Sequence, residues 1–282
     1  MIARPIKLVA DSSSDISESE AVDLGIELVP LSVSIGKASY PENTITHDEY
    51  WRLTKGQLVS TSQPPVGAFY NVFKRWVDEG YHVVCVTISS LMSGTYRSAE
   101  QAATEFAPHI TLVDSLAISR ADAVQLIKAS EMLRQGADIP TIIQAMRDVL
   151  SNTHVLLLLD TLEQLRLGGR AAAFMPLLER FARTFQIKPM VTLVDGELKF
   201  AHVSRTFRKG LNHILQEMTG YKPADQMAVV HTRRPELAAN FADKLAVGLG
   251  FERARIIICE AGAVMSTHGG EGLISAIIVS AV

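Results

Sequence analysis

Three short, nearly unbroken apolar runs punctuate the first half of the chain: IKLVA at 6–10, HVVCVTI at 82–88 and ITLVD at 110–114. Between them lie stretches such as YWRLTKG and GAFYNVFKRWVDEG, whose apolar positions recur at helical spacing. A run that is apolar on successive residues has no polar face. It therefore belongs to a strand covered on both sides, as in a parallel sheet with crossover helices. Helices are predicted over 119–135 and 140–150, the second opening near Pro140, whose fixed φ and missing N–H suit a first helical turn.

Beyond residue 150 the pattern changes. MVTLVDGELKFAHV sets Asp195-Gly196 between two strand-like runs, and that dipeptide accepts the positive φ angles of a two-residue hairpin. Antiparallel pairing is therefore expected to enter in this half. Helices are predicted over 205–219 and 235–249, with strands at MAVVHT, ARIIICE and LISAIIVSAV. The reading is an α/β fold in two domains: an N-terminal parallel-sheet α/β domain, 1–152, and a C-terminal mixed α+β domain, 153–282, with a hinge near 151–154.

Composition agrees with two cores. At 282 residues and 48% hydrophobic, the chain has enough apolar surface for two domains of about 140 residues each. A net charge of -3, with Lys and Arg scattered, leaves no basic stripe for DNA or RNA. No stretch reaches the roughly 18 apolar residues of a membrane span. The first residues lack the apolar core of a signal peptide, so a cytoplasmic protein without stable membrane insertion is expected. Cys85 and Cys259 each sit inside an apolar run and read as packing residues.

Chemistry concentrates in four hydroxyl-rich segments, at 11–15, 60–65, 89–95 and 114–115, three of which follow apolar strands. In parallel sheets the crevice beyond the strands' carboxyl ends is where ligands bind. The same residue types are also the preferred helix caps and turn formers, so both readings stand at this point. Ser93-Gly94-Thr95 falls where a helix should begin, a setting that favours an anionic group, and Gly94 would let it approach closely. A nucleophilic serine is disfavoured, because residue 91 is Leu where the elbow pattern needs Gly. No glycine-rich run ends in Gly-Lys-Ser or Gly-Lys-Thr, which argues against a nucleotide loop. Pro64 and Pro65 are expected to stiffen a loop presenting Thr61 and Ser62. Arg170 follows a Gly168-Gly169 helix end, and His268 sits in a glycine-rich segment with no second His or Cys at metal-ligand spacing.

Taken together and in order, VADSSSDIS, STSQPP, ISSLMSGTYRSA, VDSLAIS, TLEQLRLGGR, KPMVTLVDGEL and STHGGEG resemble the DegV family of bacterial fatty-acid-binding proteins. The resemblance implies two α/β domains with a lipid tunnel between them and a bound long-chain fatty acid such as palmitate, stearate or oleate. It implies that Thr61 and Ser93 bind the carboxylate, that Ser62, Gly94 and His268 line the same head-group site, and that no residue is catalytic and no metal or other cofactor is needed. It further implies that Arg170 meets a partner, a separate fatty-acid kinase that phosphorylates the carried acid for phospholipid synthesis. Two positions depart from the family's usual residues, Leu91 for Gly and Glu271 for Pro. Leu91 is expected to narrow the space behind the hydroxyls, and Glu271 to add a negative charge close to His268. The competing reading is an enzyme, a Ser/His acyl hydrolase or kinase-related phosphotransferase in which His268 would have to reach Ser93.

Overall fold

The computed structural model describes residues 4–161, 164 and 187–281. Arg170 lies outside the described residues. The chain divides into two compact units, Met1–Ser151 and Asn152–Val282.

In the first unit the elements run β1 (Ile6–Asp11), α1 (Glu18–Leu24), β2 (Ile26–Val29), β3 (Ser32–Ile35), β4 (Ala38–Pro41), α2 (His47–Leu53), β5 (Val59–Ser62), α3 (Val66–Asp78), β6 (His82–Thr87), α4 (Thr95–Ala103), β7 (Ile110–Asp114), α5 (Arg120–Arg134) and α6 (Ile139–Ser151). The four strands β2-β1-β6-β7 form a wholly parallel sheet. Alternate residues serve opposite faces. Leu8, Ala10, Val84 and Val86 pack against α5 and α6 through Leu126, Ala129, Ile142 and Met146. Val9, Val83 and Cys85 pack against α3 and α4 through Phe69, Phe73, Ala99 and Ala102. Burial on both faces is why these strands read as unbroken apolar runs.

Among the described helices, α1 and α2 open on a capping box, in which the cap hydroxyl accepts from the third helical residue and that residue's carboxylate accepts back: Ser17 with Glu20 in α1, and Thr46 with Glu49 in α2. Gly25 ends α1 at φ 70, a left-handed conformation that side chains resist.

One expectation is corrected here. Antiparallel pairing is present in the first unit too, in a three-stranded sheet of order β4-β3-β5. The SVSI run alternates, with Val33 and Ile35 buried and Ser32 and Ser34 half-buried, and Gly36 turns the chain at φ 59. Thr61 and Ser62 are consequently strand residues and not part of a proline-stiffened loop, since Val33 pairs with Thr61 and Ser32 with Ser62.

The second unit comprises β8 (Thr153–Leu158), β9 (Lys188–Val194), β10 (Glu197–Ser204), α7 (Phe207–Met218), β11 (Ala224–His231), α8 (Pro235–Leu249), β12 (Ile257–Glu260), α9 (Ala263–Gly269) and β13 (Ile274–Ser280). Its sheet has the order β10-β9-β8-β13-β11-β12, antiparallel except for β11 with β12. The hairpin falls at Asp195 and Gly196, with φ of 50 and 81. Helices α7 and α8 cover one face, where Leu211, Ile214, Phe241 and Leu245 meet Leu156, Met190, Val229 and Ile278. Among the described helices none is long and apolar enough to cross a membrane.

Candidate functional site

At the carboxyl edge of the parallel sheet, two aspartates hold the loop between β6 and α4 from either side. Asp11, the last residue of β1, accepts the Ser13 N–H at 2.9 Å and the Ser13 hydroxyl through one oxygen, and the Ile88 N–H at 2.7 Å through the other. Asp114, the last residue of β7, accepts the N–H groups of Ser90 and Leu116, each at 3.1 Å. Two of the hydroxyl-rich segments thus act as ties between strand ends. Burial pushes the Asp11 carboxyl up from its ordinary value, with the bonds from Ser13 and Ile88 opposing the rise. Asp122, fully buried in the first turn of α5, is pushed well above its ordinary value by burial and then by the charge of Asp11, while the Ser115 hydroxyl opposes.

Within the tied loop the chain turns tightly, the N–H groups of Met92 and Ser93 both donating to Ser89 O at 3.0 and 3.1 Å. The Ser93 hydroxyl lies 2.8 Å from that of Thr95 and accepts the Thr95 N–H at 3.3 Å, a local side-chain turn just ahead of α4. Gly94 follows, and the room left by its missing side chain is filled by the Gln63 amide, whose oxygen lies 2.0 Å from where a Cβ would stand. The other end of that amide donates from Nε2 to the Ser98 hydroxyl on α4 at 2.9 Å. Gln63 immediately follows β5. One side chain therefore joins the strand end bearing Thr61 and Ser62 to the helix start bearing Ser93 and Gly94. Thr61 and Ser93 are half-buried, whereas Ser62 is exposed.

His268 belongs to the second unit, in the last turn of α9, a short helix that the reading of the segment as glycine-rich missed. Its neighbours turn their hydroxyls inward, Ser266 donating to Ala261 O at 3.1 Å and Thr267 to Ala263 O at 2.8 Å. The glycine turn beyond it is clamped by Thr232. Its buried hydroxyl donates to Gly270 O at 2.7 Å and accepts the Leu273 N–H at 2.9 Å, while its backbone bonds Leu273 and Gly272 at 3.1 Å each. Leu91 is 58% exposed. The Glu271 carboxylate faces the Arg233 guanidinium at 3.7 Å, which offsets its charge.

Within the first unit the Gln63 side chain thus ties the end of the strand carrying Thr61 and Ser62 to Gly94 and Ser98 at the start of α4. Gln63 and Ser98, which complete that arrangement, are not singled out by sequence reasoning. Gln63 stands inside the STSQPP motif, but a glutamine whose partner is 35 positions away leaves no local signal. The Ser93 hydroxyl meets another hydroxyl there, which is not a base capable of activating it. No cluster of three or more metal-ligating side chains occurs among the described residues.

Residues 5–281 match the model of a family described as "Uncharacterised protein, DegV family". A DegV domain-containing protein of Listeria innocua is 32% identical over 276 residues, covering 95% of this chain and 96% of that protein. A solved structure described as fatty acid binding of a DegV family protein from Thermus thermophilus superposes with a TM-score of 0.88 at 30% identity, covering 99% of this chain and 100% of the other. A stearic-acid-binding protein from Eubacterium ventriosum superposes with a TM-score of 0.87 at 25% identity, covering 97% and 98%.

Proposed function

Because the chain belongs to the DegV family, we propose that it binds one long-chain fatty acid as cargo and does no chemistry on it. The observation that carries the reading is the Gln63 seam, which sets two hydroxyl-bearing segments side by side at a helix start. The Thermus and Eubacterium relatives, each described as binding a fatty acid, support it. Thr61 and Ser93 donate to the carboxylate, with Ser62, Gly94 and His268 completing the head-group surroundings.

The division of labour between head and tail follows from magnitudes. Each buried methylene contributes about 0.8 kcal/mol, so a 16-carbon tail contributes on the order of 10 kcal/mol before ordering costs. A hydroxyl-to-carboxylate hydrogen bond contributes about 1.5–3 kcal/mol. The tail supplies affinity and the hydroxyls supply orientation. Neutral donors hold a carboxylate without neutralising it, which leaves its oxygen nucleophilic toward a phosphoryl donor held by another protein. The finer proposal is accordingly a cytoplasmic carrier that presents the acid to a separate kinase, with Arg170 on the meeting face.

Denaturing mass spectrometry of the purified chain tests the core of this reading. A released fatty acid of palmitate, stearate or oleate size is expected. Finding none, together with no uptake of added palmitate or oleate by calorimetry, would refute it.

A further inference from the structure

His268 lies in the last turn of α9, a helix of seven residues. So short a helix has too few internal hydrogen bonds to hold itself, and packing and the anchors at its ends decide where the imidazole stands. The anchor beyond His268 is the turn Gly270–Glu271–Gly272, whose backbone Thr232 ties through its hydroxyl and carbonyl. Charged side chains from three other stretches of the second unit pack beside the same turn.

Asp160 stands two residues past β8, and both of its carboxylate oxygens are engaged. Oδ1 accepts from Nζ of Lys188, the first residue of β9, at 2.6 Å, and the same ammonium donates to Asp160 O at 2.8 Å. Oδ2 accepts from Nη2 of Arg234, ahead of α8, at 3.1 Å. The Arg234 guanidinium also lies over the ring of Phe207, the first residue of α7, 4.8 Å from its centroid. A planar cation with a carboxylate at one edge and an aromatic ring against its face has little freedom to turn. All three charged side chains are half-buried, where paired charges are screened less than at an exposed surface.

This fixed guanidinium lies against Gly272. A Cβ at that position would stand 2.9 Å from Arg234 Nη2 and 3.1 Å from the Asp160 Cβ. Gly272 also has φ 89, which side chains resist, so the turn and the room beside it both call for glycine. The ion pair therefore sets one wall of the turn in which α9 ends. We infer that Asp160 and Arg234 are positioning residues for cargo binding: by fixing the 270–272 turn they set where His268 stands toward a fatty-acid carboxylate. This role rests on the cargo reading and on the place of His268 in it. Loss of the Asp160 charge would leave Lys188 and Arg234 as neighbouring cations with no carboxylate between them, and Arg234 would leave the turn.

The test titrates the full chain with palmitate while the His268 imidazole C–H resonances, assigned with His268→Gln, are followed by NMR. Calorimetry on the same samples, well below each melting temperature, gives affinity. In the unmodified chain the His268 resonances are expected to move and saturate. Arg234→Ala and Asp160→Asn should each shrink that movement and weaken affinity about threefold to tenfold. Arg234→Lys keeps the charge without the planar fork and should recover part of both. Asp160→Asn keeps the side chain's shape, so the test survives a fold that does not tolerate Arg234→Ala. Lower melting temperatures with an unaltered His268 response and affinity would overturn the positioning role, since a merely structural pair moves stability alone. Palmitate binding that leaves His268 unmoved in the unmodified chain would also overturn it, with the cargo reading intact. No palmitate uptake by the unmodified chain would refute the cargo reading, and the positioning role with it.

Discussion

The Gln63 amide occupies the space that any side chain at position 94 would need, and it is held there by Ser98. The glycine at the start of α4 is explained by a protein group packed against it, so the segment has a structural requirement that precedes any ligand.

Gly94→Ala should therefore expel the Gln63 amide and break its bond to Ser98. The loss in stability is expected to be about 1 kcal/mol, the usual size for one hydrogen bond. Palmitate affinity should fall as well, because β5 and α4 lose their shared anchor. Thermal melts and calorimetry on the same sample check this, and an unchanged affinity would separate the seam from the ligand.

Thr61→Ala with Ser93→Ala removes both proposed carboxylate donors. At about 1.5–3 kcal/mol for a bond to a charged partner, affinity for palmitate should drop by at least about tenfold. Ser93 also accepts the Thr95 N–H, so a stability loss of about 1 kcal/mol for one hydrogen bond accompanies it. Measuring affinity well below the melting temperature isolates the first effect. A double variant that binds as the original does would remove both residues from the head-group role.

Asp122 and Asp11 should respond oppositely to amidation. The folded-state value of Asp122 is raised, so above the unfolded carboxyl's value, about 4, the unfolded chain releases a proton that the folded chain retains. Stability contributed in acid is thus lost as pH rises toward the folded value. Asp122→Asn cannot ionise, and its melting temperature relative to the original should improve as pH rises above about 4. Asp11→Asn places an NH2 where the carboxylate accepts from Ser13 or Ile88. It should cost about 1–3 kcal/mol for the donor left unpaired. A flat pH response of the Asp122 variant would show that this carboxyl is not held protonated.

Thr232→Val keeps the shape of the side chain and deletes the hydroxyl that joins Gly270 O and the Leu273 N–H. Destabilisation of roughly 1–3 kcal/mol is expected, and Thr232→Ser should restore most of it. If His268 takes part in holding the ligand, palmitate affinity should fall in the valine variant and recover in the serine variant. Hydrogen exchange at the Leu273 amide reads the clamp directly.

Much of this architecture is legible in the amino-acid pattern, for physical reasons. HVVCVTI announces a strand buried on both faces because its successive residues Val83 to Val86 meet one apolar cluster and the other in alternation. Asp195-Gly196 announces a hairpin because both residues must take positive φ. The four-residue strands SVSI, ASYP and VSTS are too short for their periodicity to stand out from a loop, and with them goes the antiparallel sheet of the first unit. Pro64 and Pro65 suggest a loop one step too early, since β5 ends at Ser62. Of the candidate site, the residues that would touch a ligand are polar residues within recognisable motifs. The residues that position them, Gln63, Asp114 and Thr232, act across long stretches of chain that local patterns do not report.

The bond from Ile88 to Asp11 spans 77 positions, and that span bears on how the protein is made. A ribosome that has released only the first few dozen residues has delivered Asp11 without its partner. The loop carrying Ser93 acquires its shape only once β1 and β6 lie side by side and β7 has supplied Asp114. A newly synthesised chain therefore cannot form the proposed head-group grip until most of its first unit has emerged.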